Sequence, residues 1–168
     1  WVSPVDLCNF LADHPNITIE QHDITAIGYN DQQWSLTCSN SEHLHCSHLI
    51  ICNAELANQF TETEHLPLKA IRGQVSITGT GTDLPKLNTV VCGEGYISPA
   101  KEGQFCFGAT FDLKGKQRDV TQADHDKNLQ KLAEALPEFH QALIDNTERL
   151  EGRTAFRCST PDYLPVVG

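Results

Sequence analysis

The chain has 168 residues, enough for one domain of ordinary size or one and a half. Its 39% hydrophobic and 20% charged residues, with mean hydropathy -0.33, exclude a disordered chain, and no run reaches the roughly 18 apolar residues of a membrane helix. A net charge of -10 opposes a phosphate backbone, so this stretch alone is not expected to bind nucleic acid strongly.

In chain order, Ser3-Pro4-Val5-Asp6 predicts a helix start. Ser3 caps, Pro4 suits the first helical position, and Asp6 favours the positive end of the dipole. Val5, Cys8, Leu11 and Ala12 then share one face, and Pro15-Asn16 ends the helix. Residues 17–52 read as β: a short strand at 17–20, a second at 24–29, and an alternating one at 34–38. The apolar run 48–54 has the pattern of a parallel strand buried on both faces, ending in small residues at a ligand. Residues 55–64 form a polar connection, followed by a long strand at 67–78 with Gly73 inside it. A meander over 89–92, 95–99 and 104–110 follows, with tight glycine turns. Thr121 caps a helix from Gln122 to about Leu136, with Leu129, Leu132, Ala133 and Leu136 as its apolar stripe. A shorter helix covers 139–144. The last segment, 152–168, carries two arginines on a strand, a Pro-Asp turn and a short apolar strand. Because that strand stops on its glycine, the chain is expected to be a piece of a longer protein.

Seven cysteines, an odd number without Cys-x-x-Cys, predict reduced, buried thiols in a cytoplasmic protein. His43-x-His45-Cys46-x-His48 has metal-ligand residue types but no second ligand group, so a solvated strand edge and no metal are expected. Cys158 beside Arg157 has the makings of a lowered-pKa thiol, but no histidine adjoins it. Arg72-Gly73-Gln74 suggests either close approach of a flat ligand or a bulged strand with an exposed arginine. Arg157, ahead of a Pro-Asp turn, is either a fork for a carboxylate or a structural ion pair in an acidic chain. Phosphate-binding glycine loops, a serine elbow and His-Glu-x-x-His are absent from the sequence. Unaided, the residues give an α+β domain with an arginine-bearing site and no reaction.

Four motifs in series carry a resemblance: Ile71-Arg72-Gly73-Gln74, Gly95-Tyr96-Ile97-Ser98-Pro99, Phe107-Gly108-Ala109-Thr110, and Arg157-Cys158-Ser159-Thr160-Pro161-Asp162-Tyr163-Leu164-Pro165-Val166-Val167-Gly168. Together they resemble the FAD-dependent D-amino-acid/glycine/sarcosine oxidase family. Within it, the likeness is to the oxidoreductase half of bifunctional enzymes that modify the tRNA wobble uridine. The resemblance implies an α+β fold: a mixed, largely antiparallel sheet with covering helices, plus a β-rich part of an FAD domain. It implies that 1–54 belongs to the FAD domain, and that 55–168 is a substrate-binding domain returning to it at 160–168. The implied cofactors are FAD, with S-adenosylmethionine in a separate methyltransferase half.

The implied reaction oxidises a carboxymethylaminomethyl side chain and releases the carboxymethyl group as glyoxylate. Arg157 is the implied carboxylate clamp, with Tyr96, Arg72 and Gln74 as further substrate contacts. Asn53, Ala54, Gly73 and Gly168 are implied at the cofactor. No catalytic base is implied. Alone, this stretch is expected to be inactive and to bind FAD weakly. The alternatives are an oxidase of free glycine or sarcosine, and a non-catalytic module for acidic ligands.

Overall fold

The computed structural model describes residues 1–81, 83–146 and 150–166. Gly168 and the end of the predicted last strand lie outside them. The chain divides into two compact units, 1–68 and 69–168.

In the first unit, α1 (Pro4–Ala12) begins as the sequence dictates. Ser3 Oγ accepts from the Asp6 N–H at 3.4 Å, and proline opens the first turn. Its apolar face is not covered, however: no residue of α1 is buried. Then β1 (Ile24–Asn30), β2 (Gln33–Cys38) and β3 (His43–Cys46) form an antiparallel sheet in the order β1-β2-β3. Two predicted strands do not form. Residues 17–20 and 47–53 are irregular, because no neighbouring strand ladders with them among the described residues. Ile50 is consequently 84% exposed, where a fully buried strand was expected. A 3-10 turn, Ala54–Gln59, follows.

The second unit is built on β4 (Lys69–Gly79). With β5 (Val91–Cys92), β6 (Tyr96–Ile97), β7 (Gln104–Gly108) and β8 (Glu151–Ser159) it makes a sheet ordered β5-β6-β7-β4-β8, every pair antiparallel. The fold is thus α+β with antiparallel sheets, as expected. Beyond β7 the chain stays beside β4: the Thr110 N–H donates to Gln74 O, and Arg72 and Asp112 exchange both backbone bonds.

Two helices cover one face. They are α2 (Gln122–Ala135), capped by Thr121 on the Asp124 N–H, and α3 (Pro137–Asn146). Ile97, Phe105, Phe107, Leu132, Phe139 and Leu143 form the core beneath them. Phe105 meets Phe139 edge-on at 5.0 Å. Burying such side chains contributes about 1.5–3 kcal/mol each.

The centre of the helix–sheet contact is polar. Residues 72, 74, 76 and 78 alternate onto the helix face of β4, and they are Arg, Gln, Ser and Thr. Helix α2 meets them with buried Asp124, His125 and Asn128.

Candidate functional site

The structure separates the two residues expected on either side of Gly73 from any ligand. Arg72 is fully buried, and its guanidinium is taken up by the protein. Nη1 holds Asp124 Oδ2 at 2.5 Å, Nε donates to Gln117 O at 2.8 Å, and Nη2 donates to Asp119 O at 2.7 Å. Gln74 is equally closed: it donates to Thr121 O at 2.9 Å and accepts the Thr121 N–H at 2.8 Å. Both side chains therefore fasten α2 to the sheet, and neither the exposed-arginine reading nor the substrate-contact reading describes them. Desolvation pushes the Asp124 carboxyl up, but Arg72, Lys127 and Thr121 outweigh it and hold it below the usual carboxylate range. On the same ridge His125 Nδ1 meets Ser76 Oγ at 2.8 Å. Desolvation pushes the imidazole pKa down against the pull of Asp126 and Asp124. Sequence reasoning missed this ridge, although polar residues at every second position of β4 were the signal for it.

The other face of the sheet carries the remaining candidates. Strand pairing places Ile71 opposite Arg157, Gly73 opposite Ala155, and Val75 opposite Arg153. Val75 also pairs with Gly108, which pairs with Tyr96. Paired residues share a face, so Tyr96, Gly108, Val75 and Arg153 form one row across four strands. Gly73 and Ala155 lie in the next row. The result is a floor of small residues rimmed by Tyr96, Arg153 and Arg157. Alternation puts Cys158 on the opposite face from Arg157, away from this floor.

Arg157 owes its position to a missing side chain. A β-carbon on Gly73 would stand 2.7 Å from Arg157 Nη1 and 2.9 Å from Thr110 O. Nη1 donates to Thr110 O at 3.3 Å, and Cζ lies 5.9 Å from the centre of the Phe111 ring. Gly73 thus provides the close approach that the sequence suggested, and the group approaching is Arg157. Arg157 is exposed, and among the described residues no carboxylate pairs with it. Tyr96 is exposed, with its phenol beside Cys106. Burial and then Cys106 push its phenol up, while Arg153 and Arg157 pull it down. Burial likewise pushes the Cys106 thiol up, opposed by Arg153 and Tyr96.

Asn53 and Ala54 belong to the first unit. Ala54 has φ 53, and Asn53 Oδ1 is buried with no hydrogen-bond partner among the described residues. An unmet acceptor costs about 1–3 kcal/mol, so this turn suits a ligand that donates an N–H or O–H. The histidine run forms β3 with His43 and His45 exposed. One other trio of metal-type ligands gathers among the described residues, His22, Cys38 and Glu42, within 4.8 Å of one another. There burial and the charges of Glu42 and Asp23 push the Cys38 thiol up, disfavouring the thiolate that a metal requires.

Comparison with known proteins decides the family. The profile of the family described as FAD dependent oxidoreductase matches residues 1–168. The chain belongs to the FAD-dependent oxidoreductases. A tRNA 5-methylaminomethyl-2-thiouridine biosynthesis bifunctional protein MnmC from Chromobacterium violaceum is 42% identical over all of this chain, which covers 26% of that relative. Its counterpart in Pseudomonas fluorescens is 37% identical with the same coverage. The chain therefore spans about a quarter of the length of these relatives. Glycine oxidase from Geobacillus kaustophilus matches in structure with TM-score 0.71 at 19% identity, over 89% of this chain and 40% of that one. Iminodiacetate oxidase from Chelativorans matches with TM-score 0.66 at 21% identity, over 86% and 39%. These two establish the shared fold. For a family that uses FAD, the unmet acceptor of Asn53 is the feature of this chain that fits the cofactor.

Proposed function

We propose that this chain is the substrate-holding part of an FAD-dependent oxidoreductase acting on tRNA. The whole enzyme removes the carboxymethyl group from 5-carboxymethylaminomethyl(-2-thio)uridine at the wobble position. It is the oxidative half of a bifunctional enzyme whose other half is a methyltransferase using S-adenosylmethionine. The observation that carries the reading is the 42% identity to a tRNA 5-methylaminomethyl-2-thiouridine biosynthesis protein across the full chain. Seven free cysteines fit the reducing cytoplasm in which tRNA is modified.

The substrate side chain is an N-substituted glycine, a secondary amine bearing a carboxylate. Arg157 suits that carboxylate, since its planar fork lies over Gly73 and is not ion-paired among the described residues. Holding the carboxylate there fixes the direction of the carbon between it and the amine. Tyr96, with its phenol kept protonated, offers an O–H on the opposite rim. When bound, FAD would supply the acceptor for a hydride leaving that carbon. Water then adds to the resulting C=N bond, leaving the primary amine on the nucleoside and releasing glyoxylate. Orientation is the main service of the protein in such a step. Asn53, with Ala54, is the proposed contact to FAD, and Gly168 remains a proposed one. Gly73 enters as the place where Arg157 rests, and Arg72 and Gln74 enter as framework.

The test uses the full-length protein. Anaerobic modified tRNA should bleach its flavin spectrum, and Arg157→Ala should cut that rate at least a hundredfold while FAD content stays intact. Bleaching by free glycine or sarcosine in place of tRNA would identify a simple amino-acid oxidase. No bleaching by either would indicate a non-catalytic module for acidic ligands. Equal loss of rate and FAD in Arg157→Ala would make Arg157 structural.

A further inference from the structure

Arg153 is the second cation on the sheet face that bears Arg157. It is exposed, and among the described residues it makes no ion pair, although the chain has 22 acidic against 12 basic residues. Three strand residues separate it from Arg157, so the two backbone positions, four rises apart, stand about 13 Å from each other on one face. Between them along β8 lies only Ala155 on that face, and across from them lie Val75 and Gly73. No large side chain on these strands rises between the two guanidinium groups. A ligand spanning both would be anionic at each end and flat in the middle. Free glycine has one anionic end and is too short to reach the second arginine. A nucleotide with a carboxylated base has a carboxylate at one end and a phosphate at the other, with a planar ring between.

We propose that Arg153 binds a backbone phosphate at the wobble nucleotide and is a specificity residue that selects RNA over free amino acids. The proposal rests on the assignment of Arg157 to the side-chain carboxylate. Arg153 acts on affinity for the RNA, and the reacting carbon stays under the control of Arg157. Position 153 also explains why a negatively charged chain can face RNA at all: the floor of the site presents two cations that are not cancelled locally.

The experiment takes the full-length holoenzyme with Arg153→Gln and Arg153→Lys, using modified tRNA as ligand. The dissociation constant is measured over a range of salt, and the limiting rate of anaerobic flavin bleaching is measured at saturating tRNA. In Arg153→Gln the constant should rise about tenfold, and its log–log salt slope should become shallower by about 0.7, as for one lost phosphate contact on single-stranded RNA. Arg153→Lys should recover most of both, because a phosphate accepts a point charge. The loss should fall on affinity far more than on limiting rate. An unchanged affinity and slope in Arg153→Gln would overturn the proposal. So would a loss confined to the limiting rate, which would place Arg153 at the reacting group. Failure of the underlying assignment looks different: Arg157→Ala would then bleach with modified tRNA at the wild-type rate.

Discussion

The two units of this chain use apolar residues in opposite ways. Residues 69–166 bury Ile97, Phe105, Phe107, Leu132, Phe139 and Leu143 in one cluster and lay two helices over it. Residues 1–68 bury only Cys38, Ala57 and Phe60 among the described hydrophobics, and leave Val5, Phe10, Leu11, Ile17, Ile19 and Ile50 exposed. Both units have comparable apolar patterning in sequence, so patterning does not reveal whether the covering surface lies within the same stretch. Large contiguous apolar patches on a protein surface mark contact faces. The relatives are long enough to supply one, since this chain covers 26% of them.

The largest effect is expected at the polar ridge of the second unit. Arg72→Ala in the full-length protein would leave the buried Asp124 with the exposed Lys127 in place of its buried partner, and should cost about 3 kcal/mol by denaturant unfolding. A loss under about 1 kcal/mol would mean that the ridge is not what holds α2. The first unit offers the converse test. Ile50→Ser should destabilise the full-length protein by about 2 kcal/mol if this apolar segment is covered there. A change within about 0.5 kcal/mol would show that it remains in water. Gly73→Ala should cost about 1–2 kcal/mol in stability, because its new carbon collides with Arg157 and Thr110. Its flavin-bleaching rate should fall tenfold or more as Arg157 is displaced. Normal activity would show that Arg157 works from another position.

The smallest effect is a pH dependence. His125 has its folded pKa pushed below the usual imidazole value of about 6.5. Above that pH both states are neutral and its contribution is complete. As pH falls through 6.5 the unfolded chain takes up a proton that the folded chain resists, so stability falls. The slope from this group is at most about 1.4 kcal/mol per pH unit. Asp124, with its pKa lowered, contributes fully above about 3.8 and loses its contribution only as pH falls through its folded value. Between pH 7 and 5, His125→Gln should therefore flatten the decline in unfolding midpoint, and an unchanged decline would assign it to other groups.

Local signals in the sequence carried most of the elements. The Ser3 and Thr121 caps, the Gly-punctuated meander and the arginine strand all form as their residues dictate. What failed were the two strands expected at 17–20 and 48–54, with which no strand ladders among the described residues. Residues 48–54 have the composition of a buried strand, yet a strand is defined by its neighbour, and none of the described residues ladders with it. At the site, the face shared by Arg153 and Arg157 follows from the two-residue period alone. The burial of Arg72 does not, because its partner Asp124 is 52 residues away and only the folded chain brings it close.

The arrangement of Arg157 has a consequence for affinity. A free arginine side chain samples many rotamers, and a ligand that immobilises it forfeits about 0.5–1.5 kcal/mol of binding energy. Here the guanidinium is already confined by the hollow above Gly73, by Thr110 O and by the Phe111 ring. Most of that entropy is lost when the chain folds, before any carboxylate arrives. An incoming acid meets a fork that is already set, and its affinity should be roughly two- to tenfold higher for that reason alone.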